Sequence, residues 1–218
     1  MLKIDNLVKI FHGPKRTVNA LEKISLSIES GEFVIVQGPS GCGKTTLLLS
    51  AGGLLAPTEG EITINNHNPY RMTPDKRAEF CAAHIGFVFQ QFHLVPYLNI
   101  LENILVPSLA LPQINIKDRA ETLINHFNLT DRINHIPAEL STGERQRTAL
   151  ARAFLNNPKL ILADEPVGNL DNENAEIVLN YLKESVESGV AVLLVTHGDR
   201  AIKYADRIVH LKEGKLVE

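Results

Sequence analysis

The feature that most constrains the fold of this chain is a glycine-rich segment between an apolar run and a helical pattern. The apolar run covers residues 33–36, and the helical pattern covers residues 44–51. The segment consists of Gly38, Pro39, Ser40, Gly41, Cys42, Gly43, Lys44 and Thr45. Glycines let successive backbone N–H groups point at one anion, and the start of a helix adds partial positive charge. The segment therefore predicts a phosphate-binding loop, with an ordinary glycine-rich turn as the alternative.

Side chains at the start of the predicted helix suit a bound nucleotide. Lys44 can bridge its outer phosphates, and the hydroxyl of Thr45 can bind Mg²⁺. Thr46, the next residue, is assigned to the same site. Cys42 has two interpretations, which are an oxidant-sensitive thiol beside Lys44 and a passive small side chain.

A second chemical signal is a pair of acidic residues at the end of an apolar strand pattern. Residues 160–163 read Leu-Ile-Leu-Ala, and Asp164 and Glu165 follow them. Sites in open α/β sheets lie at the carboxyl ends of the strands. Asp164 can hold Mg²⁺ there, and Glu165 can accept a proton from an attacking water. The alternative is a solvated strand end without a chemical role.

Apolar runs that alternate with helical patterns predict an α/β fold. Residues 33–36, 160–163 and 190–195 are apolar on both faces, which is typical of buried parallel strands. Helices are predicted from Pro74, with Thr73 as cap, over residues 116–127, with Asn115 as cap, and over residues 172–188, before Gly189. The first 30 residues alternate as two paired strands around a turn at residues 12–16.

The order of these patterns predicts one domain over residues 1–218 with two subdomains. Residues 1–90 and 156–218 would form the core, to which the N-terminal strands add an antiparallel β subdomain. Residues 91–155 carry helical patterns and little strand character. We therefore expect them to form a helical subdomain inserted between two strands of the sheet.

The composition excludes several classes of protein. A length of 218 residues with 44% apolar and 22% charged residues is typical of an ordinary globular protein. A net charge of −3 supplies no cationic field, so no nucleic-acid partner is expected. Two cysteines, Cys42 and Cys81, are too few for a disulfide framework and favour a reducing compartment. The N-terminal residues do not read as a signal peptide, and no apolar run reaches the roughly 18 residues of a membrane span, so we expect a cytoplasmic protein.

Further motifs occur in the order in which one protein family carries them. Leu140-Ser141-Thr142-Gly143-Glu144 resembles that family's signature motif and opens a predicted helix. The other matches are Gln90 for the Q-loop, Asn169-Leu170-Asp171 for the D-loop, His197 for the switch histidine, and Phe11 for the aromatic residue that stacks on adenine. With the phosphate-binding loop, these motifs make the chain resemble the nucleotide-binding subunit of an ATP-binding-cassette (ABC) transporter over essentially its whole length.

The resemblance implies a P-loop NTPase core that binds ATP and Mg²⁺ and hydrolyses ATP. It also implies a homodimer that closes head to tail around two ATP molecules. Ser141 and Gly143 of one subunit would contact the γ-phosphate held by Lys44 of the other. Asp171 would report across the interface between the subunits. A helix N-terminus aimed at an anion is a favourable arrangement for such a contact.

The resemblance also assigns roles around the hydrolysed bond. Gln90 would reach Mg²⁺ and the attacking water, and would link the site to the helical subdomain. His197 would hold the γ-phosphate and organise Glu165. Together with Asp164 these groups supply the positioning and charge neutralisation that phosphoryl transfer requires.

Several of these assignments have alternatives. His197 could be a histidine at the edge of the core, and Phe11 could serve packing alone. The glutamine assignment could fall on Gln91 instead of Gln90. Thr142 stands where the family usually has glycine, and its side chain could crowd the nucleotide or alter the closed interface.

The residues at 38–41, 87–96 and 163–171 most resemble the lipoprotein-release and macrolide-export branch of the family. The resemblance implies a subunit that drives a separate membrane permease and lies on the cytoplasmic face of the cell membrane. Residues 92–98 would receive a permease helix or fill the helical subdomain's own core. A second hypothesis is an ATP-driven regulator of cell-envelope or cell-division enzymes. A soluble ATPase acting on DNA or the ribosome is a third, but the sequence has no tandem cassette, coiled-coil insertion or basic face.

Overall fold

The computed structural model describes residues 1–14, 16–111 and 114–217. Its strands are β1 Leu2–His12, β2 Thr17–Ile28, β3 Phe33–Gln37, β4 Glu59–Ile64, β5 Ile85–Val88, β6 Leu160–Asp164, β7 Ala191–Thr196, β8 Arg207–Lys212 and β9 Lys215–Val217. Its α-helices are α1 Lys44–Ala51, α2 Pro74–His84, α3 Ile100–Leu105, α4 Ile116–His126, α5 Thr142–Phe154 and α6 Asn172–Glu187. Short 3₁₀ helices lie at Pro69–Arg71, Val106–Leu109, Thr130–Arg132, Pro137–Glu139 and Ile202–Tyr204.

Six strands form the central sheet, in the order β5-β6-β7-β3-β8-β9. All neighbours pair in parallel except β8 and β9, which are antiparallel. The three apolar runs of the sequence are β3, β6 and β7, and they are buried on both faces. The predicted α/β fold with a mostly parallel sheet is confirmed. The carboxyl ends of these strands bring Gln37, Asp164 and Thr196 to one edge.

The N-terminal strands form the predicted antiparallel sheet, in which β1 lies between β2 and β4. The turn between β1 and β2 includes Lys15, which lies outside the described residues. Apolar side chains of this sheet, such as Leu7 and Leu21, share one buried cluster with Leu47 of α1 and Leu193 of β7. Helix α1 is therefore packed between the two sheets, and this packing places β2 beside the glycine-rich loop that precedes the helix.

The opposite face of the central sheet is covered by helices α3 to α6. Their apolar side chains, such as Ile104, Leu123, Leu150 and Leu182, form a second buried cluster with Ile161 of β6. Between β5 and β6 the described residues form helices and no strand, as the sequence predicts. None of the described helices is long and apolar enough to cross a membrane.

Several helix ends differ from the sequence prediction. Helix α4 ends at His126, one residue earlier than predicted, and α6 ends at Glu187, with Ser188 as its cap. Thr73 and Asn115 are the N-cap residues of α2 and α4, as predicted, but neither side chain accepts a hydrogen bond from its helix. Asn115 has a left-handed backbone, with φ of 61°, whereas a capping residue needs an extended one.

Candidate functional site

A cleft of about 640 Å³ opens at the carboxyl edge of the central sheet, beside the glycine-rich loop. Its walls come from β2, the loop, the start of α1 and the ends of β6 and β7. The lining residues are Val18, Asn19, Ala20, Ser40, Gly41, Cys42, Gly43, Lys44, Thr45, Thr46, Gln90, Asp164, Glu165, His197, Glu213 and Gly214. Most of the site residues predicted from the sequence therefore meet in one cavity.

The glycine-rich loop has the curled backbone that its sequence predicts. Gly41 and Gly43 have φ of 79° and 109°, values that L side chains rarely adopt. A Cβ on Gly43 would lie 2.4 Å from the backbone oxygen of Ala20, so the loop packs tightly on β2. A Cβ on Gly38 would lie 2.2 Å from the oxygen of Leu211. These close contacts leave no room for a side chain at Gly38 or Gly43, and they hold the loop against β2 and β8.

Lys44 lies under the loop, with 7% of its surface exposed. Its ammonium donates hydrogen bonds to the backbone oxygens of Gly38, at 2.7 Å, and Pro39, at 3.0 Å. A buried ammonium is stable only when such acceptors satisfy it. The charge of Lys44 is therefore held at the centre of the cradle, where phosphate oxygens can replace or supplement these carbonyls.

Thr45 and Asp164 meet on the floor of the cleft. The hydroxyl of Thr45 donates to Oδ2 of Asp164 at 2.8 Å. Burial raises the pKa of Asp164 above its ordinary value and the charge of Glu165 adds to this, while the Thr45 hydrogen bond and Lys44 oppose it. A hydroxyl and a carboxylate are the hard oxygen donors that Mg²⁺ prefers. The pair fits an ion bound through few protein ligands. Among the described residues, no group of three or more His, Cys, Asp or Glu side chains could hold a metal ion.

Glu165 follows directly and is oriented by three donors. Its carboxylate accepts hydrogen bonds from the Thr196 hydroxyl and the His197 backbone N–H, both at 2.8 Å. Nδ1 of His197 lies 2.5 Å from the same carboxylate. Glu165 is only 9% exposed and has φ of 46°, a left-handed backbone that is uncommon for a residue with a long side chain. Strain of this kind persists where surrounding contacts enforce it, as at active sites.

Gln90 and Phe11 occupy different positions relative to the cleft. Gln90 lines it, and its side-chain nitrogen would lie 3.4 Å from a Cβ built on Gly168. Phe11 is 42% exposed and lies outside the cleft lining, in a neighbouring hollow that shares Val18 with the cleft. The ammonium of Lys9 lies 5.2 Å from the centre of the Phe11 ring. The structure thus places Phe11 beside the cleft without bringing it inside.

The predicted signature and D-loop residues lie outside the cleft. Ser141 caps α5, where its hydroxyl accepts from the N–H of Glu144 at 3.2 Å and the Glu144 carboxylate accepts from the N–H of Ser141 at 2.7 Å. This backbone hydrogen bond, with help from Arg132, holds the pKa of Glu144 below its ordinary value. Asp171 caps α6 by accepting from the N–H of Asn174 at 2.9 Å. Ser141, Gly143 and Asp171 do not line the cleft of their own chain.

Thr196 contacts Glu165 behind the cleft, and the sequence interpretation missed it. Its hydroxyl donates to Glu165 and also accepts from the N–H of Gly198 at 3.0 Å. The nearest sequence signal is its position directly before His197, at the end of β7. A threonine at a strand end is too common to single out without the contact to Glu165.

Comparison with known proteins gives the chain a family. The sequence profile described as ABC transporter matches residues 21–168. The ABC transporter ATP-binding protein MJ1508 of Methanocaldococcus jannaschii is 42% identical over 100% of this chain and 98% of its own length. LolD of Paramagnetospirillum magneticum, a lipoprotein-releasing system ATP-binding protein, is 40% identical over 100% of this chain and 97% of its own length. HrtA of Staphylococcus haemolyticus, whose name refers to hemin import, is 37% identical over 99% of this chain and 98% of its own length.

A solved structure has the same fold over the whole chain. It is a dimeric, post-hydrolysis state of the ATP-binding cassette MJ0796 bound to ADP and Pi, with 37% identity and a TM-score of 0.93. The match covers 100% of this chain and 97% of the other. The family profile, the full-length relatives and the shared fold agree with the phosphate-binding cleft found at the sheet edge. The chain therefore belongs to the ABC transporter family, in which it is an ATPase cassette.

Proposed function

We propose that this protein binds ATP with Mg²⁺ in the cleft, hydrolyses it, and closes as a head-to-tail homodimer that drives a membrane permease. The observation that carries the proposal is the orientation of Glu165 by Thr196 and His197, in the same cavity as Lys44 and the Thr45–Asp164 pair. A phosphate cradle, oxygen donors for a metal and an oriented carboxylate are the parts that phosphoryl transfer to water requires.

Each group in the cleft has a defined task in this proposal. The N–H groups of residues 40–45 and the ammonium of Lys44 bind the phosphates. Thr45 and Asp164, with Gln90, would hold Mg²⁺, which neutralises charge on the phosphates. Glu165 accepts the proton of the attacking water, and His197, donating from Nδ1, keeps its carboxylate oriented.

The signature motif completes the site from a second copy. Ser141 and Gly143 lie outside their own chain's cleft, at the start of α5, where Ser141 is exposed and Gly143 is buried. The dimeric state of MJ0796, at 37% identity, supports the same assembly for this chain. We infer that Ser141 and Gly143 contact the γ-phosphate bound to Lys44 of the partner, and that Asp171 reaches across the same interface. Thr142 is exposed at the first turn of α5, where its side chain would face that interface.

A permease partner is supported by the segment of residues 92–98, which follows Gln90. Half-buried Arg152 donates to the backbone oxygens of Phe92 and His93. Buried Asn103 bonds both backbone groups of Val95. The segment is thereby held in place while Tyr97 is 78% exposed. We propose that this surface receives a helix of the permease, which would hold the protein on the cytoplasmic face of the membrane, and that residues 91–155 form the subdomain that carries the contact.

The substrate class is proposed from the relatives. LolD, at 40% identity, supports a lipoprotein-release system, and co-purification with a permease carrying a large extracytoplasmic domain is the expected outcome. Recovery of a permease without such a domain would argue against this class and towards import or export of a small molecule.

The ATPase proposal is tested with Lys44→Ala. Loss of its buried ammonium should lower ATP turnover by about 10²- to 10³-fold, as for other electrostatic groups at a transferred phosphate. Phosphate release is measured at saturating ATP and Mg²⁺, and EDTA should abolish it in the wild type. Lys117→Ala, on the exposed face of α4, is the matched control and should keep wild-type turnover. Equal turnover in Lys44→Ala and the wild type would overturn the proposal.

A further inference from the structure

The signature motif and the D-loop of one chain are joined through the side chain of Asn174, on the first turn of α6. Nη1 of Arg147, on α5, donates to Oδ1 of Asn174 at 2.7 Å. Nδ2 of Asn174 donates in turn to Oδ2 of Asp171 at 2.8 Å. Asn174 therefore uses its acceptor towards the helix that the signature motif opens, and a donor towards the D-loop.

The same amide packs against the signature motif itself. A Cβ built on Gly143 would lie 2.4 Å from Oδ1 and 3.0 Å from Nδ2 of Asn174, so only glycine permits this approach. Gly143 thus has two roles. In the proposed dimer it contacts the partner's γ-phosphate, and in its own chain it leaves room for the side chain of Asn174. A shift of Asn174 would move the start of α5 and the D-loop together.

A third contact connects this pair of segments to the chain's own cleft. Nη1 of Arg200 donates to the backbone oxygen of Leu170, in the D-loop, at 2.8 Å. Arg200 lies three residues after His197, which contacts Glu165. Arg200 therefore ties the D-loop to the segment after β7 that carries His197.

We propose that Asn174 is a positioning residue that fixes the signature motif (residues 140–144) to the D-loop (residues 169–171), so that both reach the partner's nucleotide as one unit. The inference rests on the proposed head-to-tail dimer and adds the element that coordinates its two interface segments. Arg147 has the supporting role of fixing the amide orientation of Asn174, since a guanidinium can bond only to its oxygen.

The alternative is that Asn174 only stabilises the start of α6. Loss of its side chain would then lower the melting temperature and leave the catalytic constants of the folded protein unchanged. The two roles are separated by measuring turnover and ATP affinity well below the melting temperature of each variant.

The first experiment compares Asn174→Ala with Asn180→Ala, an exposed position on the same helix. Asn174→Ala should lower kcat about tenfold, the scale of a lost hydrogen bond to a charged group. ATP binding to the monomer should stay within about twofold of the wild type, because Lys44 and its loop are untouched. In a Glu165→Gln background, ATP-induced dimerisation should require about tenfold more protein. Asn180→Ala should match the wild type in all three measurements.

The second experiment exchanges donor and acceptor. Asn174→Asp keeps the acceptor for Arg147 but places a carboxylate against Asp171, and Asp171→Asn supplies the missing donor. The double variant should therefore turn over at least fivefold faster than the product of the two single effects predicts, a coupling of the size seen between residues in contact.

Outcomes that contradict the inference differ from those that contradict the proposed function. Wild-type kcat and dimerisation in Asn174→Ala, or single effects that simply multiply in the double variant, would overturn the role of Asn174. In that case Lys44→Ala would still turn over about 10²- to 10³-fold more slowly than the wild type. Full activity of Lys44→Ala would instead overturn the ATPase site on which the inference rests.

Discussion

The cleft at the sheet edge and the signature motif at the start of α5 contain similar polar residue types but differ in what those residues contact. In the cleft, polar side chains from distant parts of the chain converge. Lys44 and Glu165 are buried and Asp164 is half-buried, and each is hydrogen-bonded within the site. At the signature motif, Ser141 bonds only to its own helix and is exposed. The first region is a cavity formed within one chain, whereas the second is a helix start that does not line the cleft of its own chain.

The two regions differ in what one chain can do by itself. We expect a single chain to bind a nucleotide in the cleft, because the loop, Lys44 and Asp164 meet there. In the proposed dimer Ser141 would contribute to hydrolysis from the other copy, since it does not line the cleft of its own chain. Substitutions in the two regions should therefore differ in whether they disturb chemistry, assembly or only local stability.

The largest expected effect is that of Glu165→Gln. The amide keeps the shape of the side chain but cannot accept the proton of water, so turnover should fall by about 10²- to 10⁴-fold while ATP binding remains. Steady-state phosphate release and equilibrium binding of ATP measure the two properties. Glu187→Gln, at the exposed end of α6, is the control and should not change either. Wild-type turnover in Glu165→Gln would show that Glu165 is not the general base, and would contradict the assignment of the chemical step to the cleft.

A smaller effect in the cleft is expected for Thr196→Val. The substitution removes the hydroxyl that donates to Glu165 and leaves the N–H of Gly198 without its acceptor. Turnover should fall about tenfold, the scale of a hydrogen bond to a charged group, with less effect on ATP affinity. Thr196→Ser keeps the hydroxyl and should stay close to the wild type. If the serine and valine variants behave alike, packing of the methyl group is responsible rather than the hydrogen bond.

The smallest effect concerns the signature motif in the isolated chain. Ser141→Ala removes the side-chain cap of α5 and should lower the free energy of unfolding by about 1 kcal/mol. Denaturant titration of the monomer without ATP measures this change. Ser141→Asp, which retains a capping oxygen, should recover most of the stability. A loss of monomer ATP binding in Ser141→Ala would contradict its placement outside the cleft.

The sequence predicts the framework of the cleft well because its determinants are local. Continuous apolar runs identify β3, β6 and β7, and the residues that follow each run lie at the site, as Lys44 and Glu165 do. Strands β4, β8 and β9 were not predicted, since they lie at or next to a sheet edge and carry exposed residues that interrupt the apolar pattern.

Contacts between segments distant in sequence could not be predicted from the residues alone. The hydroxyl of Thr196 reaches Glu165 across 31 positions, and Asn174 reaches Arg147 across 27. Both depend on how neighbouring strands or helices pack. The prediction for Phe11 also depends on such packing, and the structure places its ring beside the cleft rather than within it.

The most direct test of a site shared between two copies is sedimentation of Glu165→Gln with saturating ATP and Mg²⁺, alone and combined with Ser141→Arg. We predict that Glu165→Gln sediments as a dimer with ATP and as a monomer without it. The double variant should remain a monomer although each chain still binds ATP, because the arginine blocks the partner's nucleotide and leaves its own cleft intact. A Glu165→Gln protein that stays monomeric with ATP, or a double variant that dimerises equally well, would contradict the shared site.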